Sequence, residues 1–210
     1  MAGQIDFRLY LITDRRVTSD IKWTIEEAMK AGVRAVQIRE KDLSAKELVI
    51  LTRDLHNITR RYNAKLFIND RVDIALALNL DGVHLGSEGL PPDVVERLSG
   101  GRLLIGASTH SLDEAIEAES RGADFITFGP IYKTPSKLRY GEPLGIKALK
   151  EVIKRIRIPV FAIGGINIKN ISEVIDAGAY GVALISAVMA SEAPGNAARE
   201  LIEEIQRRIS

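Results

Sequence analysis

The chain of 210 residues carries 29 lysines and arginines against 28 aspartates and glutamates. The resulting formal charge of +1 offers no long-range field for a polyanion and argues against a nucleic-acid partner. The absence of cysteine excludes disulfides, thiolate metal sites and cysteine nucleophiles and suits a cytoplasmic setting, while 46% hydrophobic and 27% charged residues without a long apolar stretch predict a soluble globular chain with no membrane partner.

In chain order, the first predicted strand is Leu9–Thr13, followed by a helical segment whose Trp23 and Met29 suit a core or a subunit contact. The second, Ala35–Arg39, ends in Gln37-Ile38-Arg39-Glu40-Lys41, which sets two cations two residues apart. Ser44–Tyr62 is the clearest helix: Leu48, Leu51, Leu55 and Ile58 recur at three- and four-residue steps, and Ser44 with Glu47 forms a capping-box pattern. His56 on this helix reads as a solvated side chain.

The third strand, Leu66–Asn69, leads to Asp70, with Asp73 beyond it as a surface or helix-start carboxylate. The fourth, Gly82–Leu85, contains His84, expected as a packed, hydrogen-bonded interior residue. Leu104–Ser108 opens into Ser108-Thr109-His110, and Phe125–Phe128 into a long segment from Gly129 to Lys137. Val160–Ile163 is followed by Gly164-Gly165-Ile166, and Gly181–Ile185 by Ser186-Ala187.

Strict alternation of strands and amphipathic segments predicts a parallel sheet. A weak repeat at Ala31-Gly32-Val33, Leu80-Asp81-Gly82, Arg121-Gly122-Ala123 and Ala177-Gly178-Ala179 marks helix ends feeding the even-numbered strands. Eight strands joined by short loops favour an α/β TIM (β/α)8 barrel over an open doubly wound sheet, as one domain over residues 1–210.

Function in such a barrel belongs at the carboxyl ends of the strands. Arg39, Lys41 and Lys137 converging there would hold a pyrophosphate, with Asn69 and Ser108 as neutral hydrogen-bonding groups. Small residues at Gly164-Gly165 and Ile185-Ser186-Ala187 suit a phosphate at the usual barrel position, although a Gly-Gly pair equally suits a tight turn. His110, just past a strand end, suits a proton shuttle or a helix-start hydrogen bond. The segment Lys133 to Glu142 is long for such a connection, and its cations suit a lid over phosphates.

The runs Gln37-Ile38-Arg39-Glu40-Lys41, Ile68-Asn69-Asp70-Arg71-Val72-Asp73-Ile74-Ala75, Gly82-Val83-His84-Leu85-Gly86, Gly129-Pro130-Ile131-Tyr132 through Lys137, and Ala162-Ile163-Gly164-Gly165-Ile166 resemble the thiamin phosphate synthase family and its TenI relatives, over nearly the whole chain. The resemblance implies a magnesium-dependent barrel enzyme of thiamin biosynthesis that joins hydroxymethylpyrimidine pyrophosphate to thiazole phosphate. It implies pyrimidine-pyrophosphate contacts at Gln37, Ile38, Arg39, Glu40, Lys41, Asn69, Ser108 and Lys137, and Mg²⁺ on Asp70. Thr134, Pro135, Ser136, Gly165, Ile185 and Ser186 would hold the thiazole phosphate. Ser108, His110 and Lys137 are the candidate catalytic residues, and a homo-oligomer is compatible with the pattern.

The chain departs from that pattern at Gly89, where the synthases carry a second magnesium carboxylate; Glu88 is the available substitute. TenI relatives, implied to be thiazole tautomerases, dispense with the metal and use a histidine after the fifth strand, which the Ser108–Ala115 stretch resembles. The alternatives to the synthase are therefore a tautomerase and a non-catalytic regulator that binds phosphate ligands.

Overall fold

The computed structural model describes residues 5–134 and 142–209. Within them, strand and helix alternate: β1 (Leu9–Ile12), α1 (Ile21–Lys30), β2 (Ala35–Ile38), α2 (Ala45–Arg61), β3 (Lys65–Asn69), α3 (Val72–Ala77), β4 (Gly82–Leu85) and α4 (Pro92–Ser99) form the first half. The second half runs β5 (Leu104–Thr109), α5 (Leu112–Ser120), β6 (Phe125–Phe128), α6 (Gly145–Arg155), β7 (Val160–Ile163), α7 (Ile171–Asp176), β8 (Gly181–Leu184), α8 (Ser186–Met189) and α9 (Pro194–Ile209). All neighbouring strands are parallel, and β8 pairs back onto β1 with Leu9 beside Val182, so the sheet closes and leaves no edge. Among the described residues, no helix is long and apolar enough to cross a membrane.

Strand alternation sorts the side chains into two cores. Leu9, Leu11, Val36, Ile38, Leu66 and Ile68 face the helical shell, whereas Tyr10, Ile12, Ala35, Phe67, Phe125 and Phe161 fill the barrel interior. Four of the chain's five phenylalanines, Phe7, Phe67, Phe125 and Phe161, stack with Tyr10 as a plug, with ring centroids such as Tyr10–Phe67 at 5.3 Å in an edge-to-face arrangement. This plug fills the barrel interior toward the amino-terminal ends of the strands.

Helix α2 starts at Ser44 with the capping box complete: the Ser44 hydroxyl accepts from the Glu47 amide, and Glu47 accepts from the Ser44 amide. Its buried stripe is Leu48, Thr52, Leu55, Ile58 and Thr59, so Thr52 takes a place in the stripe that the apolar pattern gave to Leu51, which is half-buried. The Thr52 hydroxyl satisfies itself by donating to the Leu48 carbonyl at 2.6 Å. On α1, Met29 belongs to the core, but Trp23 is 46% exposed and does not. His56 is half-buried, and burial lowers its pKa.

Candidate active site

Above the aromatic plug, the inward positions change from apolar to polar. Gln37 on β2, Asn69 on β3, His84 on β4, Ser108 on β5 and Thr127 on β6 form an arc, with Asn69 abreast of His84 and Ser108 abreast of Thr127. His84 Nε2 lies 3.1 Å from Ser108 Oγ and 3.4 Å from Thr127 Oγ1, which makes this buried histidine the hub of the arc's far side. Two polar atoms at the floor are buried with no hydrogen-bond partner, the Tyr10 hydroxyl and Gln37 Nε2. Each such orphan costs about 1–3 kcal/mol, and their proximity in one arc is what a site awaiting a polar ligand looks like. Burial pushes the Tyr10 phenol well above its ordinary value, and the neighbouring Gln37 offsets only part of that, so the hydroxyl stays a neutral donor.

The motif following Gln37 divides by side-chain direction. Ile38 faces outward into the core against the helices, which leaves only its backbone on the mouth side. Arg39 is half-buried at the rim and Lys41 is exposed. Glu40 is 5% exposed, and both its oxygens accept from the Arg15 amide, at 3.1 and 3.3 Å. Thr13 completes this junction by accepting from the Arg39 amide at 3.0 Å. Glu40 is thus a tie between the segments after β1 and β2, and desolvation by burial raises its pKa above the usual carboxylate value.

Asp70 sits at the end of β3 with φ 59°, a left-handed backbone that aspartate tolerates better than most residues. Its Oδ1 accepts from the Gly86 amide at 2.7 Å and its Oδ2 from Asn69 Nδ2 at 2.5 Å. A Cβ at Gly89 would lie 2.6 Å from Asp70 Oδ1, so the turn after β4 closes directly on this carboxylate. Among the described residues, no group of three or more His, Cys, Asp or Glu side chains is placed to hold a metal. Asp73 is exposed and bound to Arg71, whose guanidinium holds its carboxyl below the usual value.

On the opposite side of the mouth, a cavity of about 50 Å³ is lined by Thr134, Ile163, Gly164, Gly165, Ile166, Ala183, Leu184, Ile185 and Ser186. It brings together Thr134, Gly165, Ile185 and Ser186; Pro135, Ser136 and Lys137 lie outside the described residues, as does most of the expected lid. Gly165 has φ 68°, and a Cβ there would meet the Lys133 carbonyl and Tyr132 Cβ at 2.8 Å. Glycine therefore lets the segment after β6 lie against the turn after β7, where Tyr132 also donates from its amide to the Gly164 carbonyl and from its hydroxyl to Glu173.

His110 is anchored in two ways. Its ring lies with Nδ1 2.5 Å from the Gly129 carbonyl, an acceptor only, which requires the proton on Nδ1, and its amide donates to Glu114 Oε2 at 2.7 Å. Tyr10, Thr13 and Thr127 border the polar arc, which the strand-end motifs did not reveal. Alternation along β1 and β6 was the available signal, since Tyr10 lies two residues before Ile12 and Thr127 two after Phe125.

The profile of the thiamine monophosphate synthase family, TMP-TENI, matches residues 9–188. The chain is 54% identical over 202 residues to a Geobacter sulfurreducens protein provisionally named a thiamine-phosphate synthase, with 95% of each chain covered. It is 41% identical over 201 residues to the thiamine-phosphate synthase of Pyrococcus abyssi, covering 94% of this chain and 96% of that one. The solved structure of thiamine phosphate pyrophosphorylase from Pyrococcus furiosus superimposes with a TM-score of 0.90 at 39% identity, over 97% of this chain and 98% of the other. With a closed eight-stranded barrel, a polar arc beside a small cavity, and likeness along almost its full length, this chain belongs to the thiamine monophosphate synthase family.

Proposed function

We propose that the protein is a thiamine-phosphate synthase, a transferase that joins hydroxymethylpyrimidine pyrophosphate to thiazole phosphate. The observation that carries this reading is the division of one mouth into two unlike halves: a polar arc rimmed by Arg39 and Lys41, and an uncharged cavity between Gly165 and Ser186. Two substrates with phosphate at opposite ends match two such halves.

In this reading the aminopyrimidine lies over the plug, where the orphaned Gln37 Nε2 and Tyr10 hydroxyl meet its polar atoms. Arg39, Lys41 and Lys137 neutralise the pyrophosphate, and Asn69 and Ser108 hydrogen-bond it. The bond from the pyrimidine methylene carbon to oxygen breaks with its electron pair leaving on pyrophosphate, and the thiazole nitrogen lone pair forms the new carbon–nitrogen bond. No protein nucleophile is required. Thr134, Pro135, Ser136, Gly165, Ile185 and Ser186 hold the thiazole phosphate, where the small residues give its oxygens access to backbone amides. His110 orients the start of the segment after β6 through the Gly129 carbonyl.

Asp70 fits a magnesium ion as a single carboxylate, since each of its oxygens accepts one hydrogen bond and retains a further lone-pair direction. Bound there, Mg²⁺ supplies charge neutralisation to the departing pyrophosphate. The substrates are small and phosphorylated, the near-neutral chain favours no nucleic acid, and the cysteine-free composition suits the cytoplasm. A homo-oligomer is part of the reading, supported by exposed Trp23 and checked by sedimentation velocity.

The test is to incubate the protein with both substrates and Mg²⁺ and to follow thiamine phosphate and pyrophosphate together. Equimolar appearance of both is expected. Absence of product from folded protein, with isomerisation of a thiazole carboxylate phosphate in its place, would overturn the synthase in favour of the tautomerase.

A further inference from the structure

We infer that Asn170 is a positioning residue for the thiazole phosphate: it holds the Gly165 carbonyl out of the cavity between the ends of β7 and β8 and so turns the Ile166 amide toward the phosphate. The inference rests on the thiazole-phosphate site proposed above. It starts from a side chain that does not do what its position calls for. Asn170 directly precedes α7, where asparagine ordinarily accepts from the first free amides of its own helix. Asp20, Ser44 and Ser111 do so at the starts of α1, α2 and α5, but Asn170 makes no such bond. Its Oδ1 accepts from the Asn167 amide at 2.8 Å and its Nδ2 donates to the Gly165 carbonyl at 3.0 Å, so both ends of the side-chain amide are committed to the turn after β7.

That turn borders a cavity meant for an anion. A carbonyl oxygen carries partial negative charge, and one facing the cavity would repel a phosphate oxygen. Ile163, Gly164 and Gly165 all line the cavity, and each of their carbonyls is tied elsewhere: Ile163 accepts from the Ile131 amide at 2.9 Å, Gly164 from the Tyr132 amide at 3.0 Å, and Gly165 from Asn170. The first two partners are backbone groups. The third is chiefly one side chain, since Asn167 Nδ2 reaches the same oxygen at 3.3 Å from an exposed position.

Peptide planarity converts this hydrogen bond into an orientation. In a trans peptide the carbonyl and the following N–H point in opposite directions, so fixing the Gly165 oxygen on Asn170 aims the Ile166 N–H away from the start of α7. Ile166 lines the cavity and is 6% exposed, yet its amide donates to no group among the described residues. An amide left without a partner in so buried a residue is costly, and a phosphate oxygen would satisfy it.

The test uses Asn170→Ser, which removes the reach to Gly165, adds no charge and leaves a residue suited to start α7. Thiazole phosphate, added with inorganic pyrophosphate and Mg²⁺ to fill the other half of the mouth, should move the Ile166 amide proton downfield in the NMR spectrum of the unaltered protein and not in the folded variant. Calorimetry under the same conditions should show thiazole phosphate bound about 10- to 150-fold more weakly by the variant, the span for one hydrogen bond to a charged group, with pyrophosphate affinity kept within about twofold. Full thiazole-phosphate affinity in folded Asn170→Ser overturns the inference. Should that variant fail to fold, Asn170→Asp, which keeps the acceptor for the Asn167 amide and loses the donor, is read by the same Ile166 shift; unfolding of both assigns Asn170 to the fold alone and overturns the inference. Binding to the unaltered protein that leaves the Ile166 amide unmoved also overturns it but leaves the thiazole-phosphate site standing. Failure of thiazole phosphate to bind the unaltered protein overturns both.

Discussion

Gln37, in its proposed role, illustrates how a single position can hold function at the expense of stability. Its Nε2 is buried without a partner, so replacing the amide by an apolar side chain of similar size removes a desolvation cost. Gln37→Leu is expected to raise stability by about 1–3 kcal/mol in urea unfolding while weakening the pyrimidine substrate at least about tenfold. A variant that is no more stable, or that binds the pyrimidine unchanged, contradicts the assigned role. Glu40 makes a different prediction, about pH. Because burial raises its folded pKa above 4.5, the folded chain binds more protons than the unfolded one between those two values, and stability falls as pH rises through that window. Asp14, held low chiefly by the Arg16 hydrogen bond, acts with the opposite sign but equally in both proteins compared. Glu40→Gln should therefore lose the downward component contributed by Glu40, which unfolding curves of both proteins at several pH values above 4.5 will read.

Among the elements, α2 shows which part of a helix its own sequence controls. The capping box is a contact between residues three apart, and Ser44→Ala should cost about 1 kcal/mol. Leu55 is fully buried against the sheet, and Leu55→Ala should cost about 2–5 kcal/mol because it adds a cavity to the lost transfer free energy. Urea midpoints of the two variants should keep that order; a cap variant as unstable as the core variant would show that α2 depends on local structure more than on packing. Both features were legible in the pattern from Ser44 to Ile58. Thr52 was not, since a hydroxyl that folds back onto the Leu48 carbonyl behaves as an apolar surface only once the helix exists.

For the whole molecule, barrel closure carries the two proposed half-sites on well-separated strands. Arg39 follows β2, whereas Gly165 follows β7. Arg39→Ala should weaken pyrophosphate by about 1.5–3 kcal/mol, the scale for a hydrogen bond to a charged group. Gly165→Ala, strained at φ 68° and pressed against the Lys133 carbonyl, should raise the KM for the thiazole phosphate. Each should leave the other substrate within about twofold, and the double variant should be additive within about 0.5 kcal/mol. Coupling well beyond that would mean that the two halves share a moving part.

The order of strands and helices, the barrel, and the strand-end positions of Arg39, Asn69, Asp70, Ser108 and Gly165 were all readable from sequence, because each depends on local periodicity and on the rule that strand carboxyl ends meet at one mouth. The hydrogen bonding of Glu40 was not: only the packing of the segment after β1 shows its carboxylate accepting from the Arg15 amide. The same holds for the orphaned Tyr10 and Gln37 atoms and for the turn that closes on Asp70 beside Gly89. Periodicity states which face a residue takes, whereas burial, hydrogen-bond satisfaction and the space left by a missing side chain are set by residues far away in the chain, so only the closed barrel decides them.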